Sequence, residues 1–286
     1  MNKLFSWFTK FSSDTKSPTI ATPFVKWAGG KRGIMKTLIA RLPDSFETYW
    51  EPFAGGAALF FKLADSGKIT NAYLSDNNFD LIIAYNVIKH NPKPLIRQLR
   101  KHAVRHNRSY YYEIRAQHTL QNPIEIAARF IYLNKTCFNG LHRVNTRGEF
   151  NVPIGNNTNP DIVAENNLMA CKNVLAMAII EHREFDTIEP RNKDFVYFDP
   201  PYHPTPNSSF TKYTKQDFTE KDQVRLRDFI VDLSKQGIKI MLSNSNVPFI
   251  HELYKDFQIL MIQAPRVINC KPSQRNAVNE LLITNY

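Results

Sequence analysis

Asp199-Pro200-Pro201-Tyr202 is the stretch of this chain best furnished for chemistry. A carboxylate oxygen and a main-chain carbonyl from the turn after it, placed side by side, form a double hydrogen-bond acceptor. An exocyclic amino group is a double donor and matches that pair. The ring of Tyr202 offers a face on which a planar base can stack. Each proline fixes φ and lacks an N–H, and Pro200 biases Asp199 towards extended backbone, so the turn is stiff and its carbonyls are unpaired. Phe195-Val196-Tyr197-Phe198, just before it, is apolar, aromatic and β-branched, as in a buried strand of a parallel sheet. In open α/β sheets the chemistry sits at the carboxyl ends of strands. An ordinary strand closed by a Pro-Pro turn reads the same locally, so the rest of the chain has to decide.

Two glycine turns precede it. Phe24-Val25-Lys26-Trp27-Ala28-Gly29-Gly30-Lys31-Arg32 leads into a helix predicted from Ile34 to Leu42. It is not a phosphate-binding P-loop, because Val25 and Arg32 stand where that motif needs Gly and Ser or Thr. Thr48-Tyr49-Trp50-Glu51-Pro52-Phe53-Ala54-Gly55-Gly56 reads as a strand and a glycine turn, followed by a helix. The next strand, Asn71 to Ser75, ends at Asp76, 21 residues after Gly55. At that spacing an acid meets a ribose hydroxyl pair in nucleotide-binding folds; Asp76 as a plain helix cap is the competing assignment. The turn is not Gly-x-Gly-x-x-Gly, which argues against a nicotinamide cofactor.

The chain of 286 residues has 37 basic and 26 acidic residues, a net charge of +11. Residues 89 to 150 hold 12 Lys or Arg against three acids, so +9 of the +11 lies in about a fifth of the chain. That concentration suggests a phosphate-tracking surface. Within it, Pro94 to Arg105 puts Leu95, Ile96, Leu99 and Ala103 on one helical face and Arg97, Arg100, Lys101 and Arg105 mostly on the other. Tyr110 to Tyr112 and Ile124 to Leu133 continue as helix, and Val144 to Val152 reads as a hairpin turning at Arg147-Gly148. Arginines there suit DNA grooves, by bidentate pairing with guanine; the competing readings are that they contact only phosphate or fold the hairpin back on itself.

After Tyr202, His203 to Lys215 reads as a mobile lid. Thr219 caps a helix to Gln236, and Ile238 to Ser243, Phe257 to Gln263 and Glu280 to Asn285 read as strands. Residues 1 to 22 form a polar N-terminal arm interrupted by Phe5, Trp7, Phe8 and Phe11, expected to be disordered or docked on the body. It lacks the apolar core of a secretory signal, and no run of about 18 apolar residues predicts a membrane span. Cys137, Cys171 and Cys270 are far apart, which argues against a disulfide framework or structural zinc and fits a reducing cytoplasm.

Together these motifs resemble the DNA adenine methyltransferase (Dam) family. The likeness is carried by Lys26-Trp27-Ala28-Gly29-Gly30-Lys31, Glu51-Pro52-Phe53-x-Gly-Gly, Asp76, Asn139-Gly140-Leu141-x-Arg143-x-Asn145 to Gly155, and Asp199-Pro200-Pro201-Tyr202, in that family's order over residues 24 to 286. It implies an α/β fold: a Rossmann-like, seven-stranded methyltransferase sheet with an antiparallel last hairpin. The catalytic domain would comprise residues 23–84 and 171–286, and a mostly helical recognition insert with a β-hairpin would occupy residues 85–170. It implies S-adenosyl-L-methionine as cofactor, held by Trp27, Lys31, Phe53, Gly55, Asp76 and Asp199. Asp199, Pro200 and Tyr202 would be catalytic, with direct in-line transfer to the N6 of a flipped-out adenine, and no metal. Asn139, Leu141, Arg143, Asn145 and Arg147 would meet double-stranded DNA, at GATC or a close relative, with Arg143 on guanine. His142 fills a variable place of the motif and carries no weight. Neither a membrane nor an obligatory protein partner is implied, and the setting is the cytoplasm of a bacterium, with a phage-encoded protein included. Cytosine N4 presents the same double donor and is the nearest alternative, followed by a non-catalytic DNA-binding protein on the same scaffold. Cytosine C5 chemistry would need a nucleophilic Cys, for which the three cysteines show no context.

Overall fold

The computed structural model describes residues 20–27, 29–204, 218–264 and 278–286. Seven strands form one sheet: β1 Tyr49–Glu51, β2 Ala72–Asp76, β3 Ala178–His182, β4 Phe195–Phe198, β5 Lys239–Ser245, β6 Gln258–Ala264 and β7 Val278–Thr284. Their order is β3-β2-β1-β4-β5-β7-β6, and only β7 runs antiparallel to its neighbours. The central strands β1 and β4 are buried along their whole length, as strands covered on both faces must be. Tyr49 pairs with Ala72 on one side and Phe195 on the other. Strand order reverses between β1 and β4, so a crevice opens at their carboxyl ends. The turn after β1, Asp76 as the last residue of β2 and the Asp199 turn after β4 all lie there.

The helices in chain order are α1 Met35–Ala40, α2 Ala58–Asp65, α3 Phe79–His90, α4 Pro92–Arg105, α5 Arg108–Arg115, α6 Pro123–Thr136, α7 Glu165–Leu175, α8 Glu220–Lys235 and α9 Pro248–Leu253. Asn78, Asn107 and Asn122 cap α3, α5 and α6 through their side chains. Thr219 and Asp222 close a capping box on α8. On α4, Leu95, Ile96 and Leu99 are buried while Arg97, Arg100, Lys101 and Arg105 are exposed, as the periodicity predicts. The hairpin also forms, with Val144 bridging Phe150 and Asn145 to Gly148 making its turn.

Some expectations shift. α1 is shorter than predicted and follows a 3₁₀ turn at Lys31–Gly33. β3 has no counterpart in the residue-level reading, because its Ala178-Ile179-Ile180 continues without a Gly or Pro break the apolar run that ends α7 at Leu175. The boundaries 84/85 and 170/171 fall inside α3 and α7. Residues 1–19 of the arm and 205–215 of the lid lie outside the described residues. At the end of the arm, Ala21 is buried and Thr22 exchanges hydrogen bonds with Asn167.

Candidate active site

The turn after β4 carries Asp199 into the crevice beside Lys31, which the 3₁₀ turn after Gly29-Gly30 delivers from the other end of the chain. Lys31 Nζ stands 2.8 Å from Asp199 Oδ1, with only 6% of the lysine side chain exposed. The same ammonium donates to the Gly29 carbonyl at 2.6 Å and lies over the Tyr202 ring, 4.8 Å from its centroid. Burial raises the Asp199 carboxyl above its usual range, and Lys31 pulls it back. Among the described residues, Asp199 Oδ2 and the Pro200 carbonyl have no hydrogen-bond partner. Tyr202 is fixed at its far end, where its hydroxyl donates to Glu280 Oε2 on β7 at 2.9 Å.

Beneath this turn lies a buried amide pair that sequence reasoning missed. Gln223 on α8 donates to the Pro201 carbonyl at 3.0 Å and accepts from Asn244 Nδ2 at 3.0 Å. Asn244 Oδ1 in turn accepts the N–H groups of His203 at 3.2 Å and Ser245 at 2.8 Å. The turn is thus held on both sides of Tyr202, and of its first two carbonyls only that of Pro200 is left to a ligand. The polar run Ser243-Asn244-Ser245 closing an apolar strand was the one available signal.

The neighbouring half of the crevice is built on Gly55. Its φ of +45° suits glycine, and a Cβ there would approach the Trp27 indole to 2.6 Å. Asp76 accepts the Gly55 N–H on one carboxylate oxygen and the Asn78 N–H on the other, each at 2.9 Å. Desolvation raises its pKa while these amides counter it. Glu51, at the end of β1, is buried deeper and accepts from the Tyr49 hydroxyl at 2.8 Å. Burial pushes its pKa up to about 8. Phe53 turns its ring into an aromatic cluster with Phe185, Phe198 and Phe218, separate from the cluster that holds Trp27.

Of the residues assigned to DNA, Asn139 adopts a left-handed φ of 55° and is exposed, and Leu141 is half-buried. Arg143 and Arg147 are exposed. Arg143 Nε donates to Asn151 Oδ1 at 2.7 Å, and Arg147 pairs with Glu149 at 2.9 Å. Asn145 is spent within the hairpin, accepting from the Arg147 and Glu149 N–H groups at 3.0 Å and donating to the Glu149 side chain. His142, which the motif alone left without weight, is buried and stacks on Trp27, with centroids 5.6 Å apart.

A parallel sheet with a reversed strand, a glycine turn after β1, an acid at the end of β2 and Asp-Pro-Pro-Tyr after β4 together define a Rossmann-like methyltransferase. The chain belongs to the D12 class of N6 adenine-specific DNA methyltransferases, whose family profile matches residues 27–268. It is 40% identical over 274 residues to the type II methyltransferase M1.LlaDCHI of Lactococcus lactis subsp. cremoris, covering 92% of this chain and 95% of that one. It is 41% identical over 285 residues to the type II methyltransferase M.MjaIII of Methanocaldococcus jannaschii, covering 92% and 99%. The DNA adenine methylase of Escherichia coli K12 is 32% identical over 264 residues, covering 91% and 93%. The reaction is methylation of adenine N6 in DNA, and the cofactor is S-adenosyl-L-methionine. The residues present fit that cofactor: Gly55 would allow its close approach, the Trp27 indole would wall one side, and the Asp76 carboxylate would be available to a hydroxyl pair. Among the described residues no helix is long and apolar enough to cross a membrane.

Proposed function

We propose that this enzyme acts on double-stranded DNA in the cytoplasm, at GATC or a close relative, and takes its adenine flipped out of the helix into the Asp199 turn. The observation that carries this is the acceptor pair: Asp199 Oδ2 and the Pro200 carbonyl, both without partners among the described residues, beside a ring anchored by Glu280. An adenine inside a duplex is out of reach, and extruding it costs a few kcal/mol. Stacking on Tyr202 offsets part of that cost.

The amino nitrogen is a poor nucleophile because its lone pair is delocalised into the ring. Donating both hydrogens, to Asp199 and to the Pro200 carbonyl, localises the lone pair on the side away from those acceptors. S-adenosylmethionine, when bound, supplies a sulfonium methyl group that is already strongly electrophilic and can be handed over in line. Trp27, Gly55 and Asp76 hold that cofactor in this reading, with Phe53 behind the glycine turn. Positioning and fixed dipoles therefore supply most of the rate. Lys31 holds Asp199 Oδ1 and leaves Oδ2 to the base, but its ammonium lies over the Tyr202 ring, so it moves off that ring face as adenine enters while keeping its hold on Asp199.

Residues 85–170 act as the recognition insert, with the exposed arginines of α4 on phosphates and Arg143 on a guanine edge. Asn139, Leu141, Asn145 and Arg147 shape or flank that contact. The test is nucleoside mass spectrometry of unmethylated plasmid after incubation with enzyme and cofactor, followed by mapping of the modified positions. N6-methyladenine confined to GATC is the expected result. Methylation at unrelated sites would overturn the assigned target, and faster transfer to single strands than to duplex would overturn the flipping requirement.

A further inference from the structure

His142 belongs by sequence to the Asn139–Asn145 stretch, yet its ring packs against Trp27, whose indole in turn lies close to Gly55. It stacks on Trp27 with centroids 5.6 Å apart and planes 25° apart, and it meets Phe130 at 5.5 Å and Phe150 at 5.6 Å. Its Nε2 lies 3.4 Å from Asn78 Nδ2. Asn78 is the residue whose N–H binds Asp76 Oδ1, and its side chain caps α3. One imidazole therefore touches the indole wall on one side and the neighbour of the ribose-binding acid on the other.

A second tie fixes the same stretch one turn earlier. Asn134, buried at the end of α6, accepts the Lys26 N–H at 2.8 Å and donates to the Lys26 carbonyl at 2.8 Å and the Gly140 carbonyl at 3.2 Å. The Lys26 side chain passes so close over Gly140 that a Cβ there would meet it at 2.6 Å. The segment from Gly140 to His142 is thus moored to Lys26-Trp27, and Arg143 is the next residue outward.

We infer that His142 is a positioning residue that couples cofactor occupancy to base reading by Arg143. The inference rests on the assignment of Trp27 and Asp76 to the cofactor and of Arg143 to the base. A cofactor seated against Trp27 and Asp76 immobilises both surfaces on which the imidazole lies. That in turn sets the backbone from which Arg143 projects, and part of the cost of ordering the loop on DNA is met beforehand. By linkage the effect is reciprocal: target DNA tightens cofactor binding by the factor by which cofactor tightens target DNA.

The test uses the full chain and sinefungin, a non-reactive analogue of the cofactor. Its dissociation constant is measured alone, with a duplex carrying the methylated site, and with a scrambled duplex. The wild type should bind sinefungin about tenfold more tightly with the target duplex than with the scrambled one, within the usual range of coupling between sites. His142→Leu, which fills the volume with neither ring nor nitrogen, should bring that ratio below about twofold while analogue binding alone stays within about threefold. His142→Phe restores the stack and should recover at least half of the lost ratio on a logarithmic scale. A wild-type ratio near one, or an undiminished ratio in His142→Leu, overturns the proposal. If His142→Leu fails to fold, His142→Gln, which keeps a polar partner for Asn78 without the ring, is judged by the same criterion. Trp27→Ala separates the two levels: unchanged analogue binding there would fault the cofactor assignment and leave the coupling measured on His142 to stand or fall alone.

Discussion

Replacing Gln223 by Leu tests whether the catalytic turn is held from beneath. The side chain is 1% exposed, so the substitution keeps volume and removes only polarity. Two groups then lose their partner: the Pro201 carbonyl and Asn244 Nδ2, each bound at 3.0 Å in the wild type. A buried polar group left unsatisfied costs about 1–3 kcal/mol, so the pair should cost roughly 2–4 kcal/mol after local adjustment. In a chain of this size that lowers the melting temperature by about 3–7 °C. The larger consequence is kinetic. A released Pro201 carbonyl competes with that of Pro200 for the adenine amino group, and misplacement by about 1 Å can cost on the order of a hundredfold in rate. Single-turnover methyl transfer at saturating DNA and cofactor should therefore fall about 10- to 100-fold, with DNA affinity changed by less than about threefold. Gln223→Glu is the sharper control, because its carboxylate still accepts from Asn244 but sets an oxygen against the Pro201 carbonyl. Full single-turnover rate in a folded but less stable Gln223→Leu would refute the reasoning and leave the clamp a stability device only.

The other expectations concern charge. Asp199→Ala should abolish transfer and leave DNA affinity largely intact; retained turnover in a folded variant would contradict its role. Because it strands the buried Lys31 ammonium, it should also cost about 3–5 kcal/mol in denaturant unfolding, recovered in Asp199→Ala/Lys31→Met without recovery of activity. Arg143→Ala should relax preference at one base pair by about 1–3 kcal/mol in competition assays, whereas equal loss on every duplex would make it a phosphate contact. Glu51 binds its proton more tightly folded (pKa about 8) than unfolded, so its contribution is full below the unfolded value near 4.5 and is lost as pH rises towards 8. Glu51→Gln lacks that dependence, and its stability relative to wild type should rise by about 3–4 kcal/mol between pH 5 and 8. A difference that stays flat with pH would mean that Glu51 is ionised throughout.

What the sequence announced was local or set by short crossovers. Asp199 follows four apolar residues and precedes two prolines, so strand, stop and acceptor pair are written within eight residues. Asp76 follows the glycine turn by one helix and one strand, a distance that the parallel crossover fixes. The α8 cap is likewise contained in Thr219 to Asp222. What stayed silent depends on which remote elements the fold juxtaposes. Lys31 meets Asp199 across 168 positions, Tyr202 meets Glu280 across 78, and Gln223 meets Asn244 from a helix to a strand. Nothing beside one partner in the sequence points to the other. His142 was illegible for another reason: a variable place in a motif says nothing about where its ring points.

The packing also limits how recognition can work. Residues of the insert and of the sheet share one continuous apolar cluster, from Leu95, Tyr111, Phe130 and Val152 to Tyr49 and Phe195. Tyr85 on α3 donates to the Gly55 carbonyl at 2.9 Å and packs edge-on against Phe24 at 4.7 Å, bolting the first helix of the insert to the glycine turn. A hinged insert would need a polar, separable interface between two cores, and here no such seam divides them. If residues 85–170 read DNA as proposed, adjustment to a sequence falls to short segments on that body: the Phe138–Gly140 turn, the hairpin from Arg143 to Asn151, and the Lys31 side chain over Tyr202. Each is anchored at its base by a buried polar contact, through Asn134, through Arg115 on the carbonyls of Asn151 and Val152, and through Asp199 respectively. Specificity built this way depends on a few small movements against fixed anchors, which is why substitutions at the anchors, and not only at the bases they serve, should change which sequences are methylated.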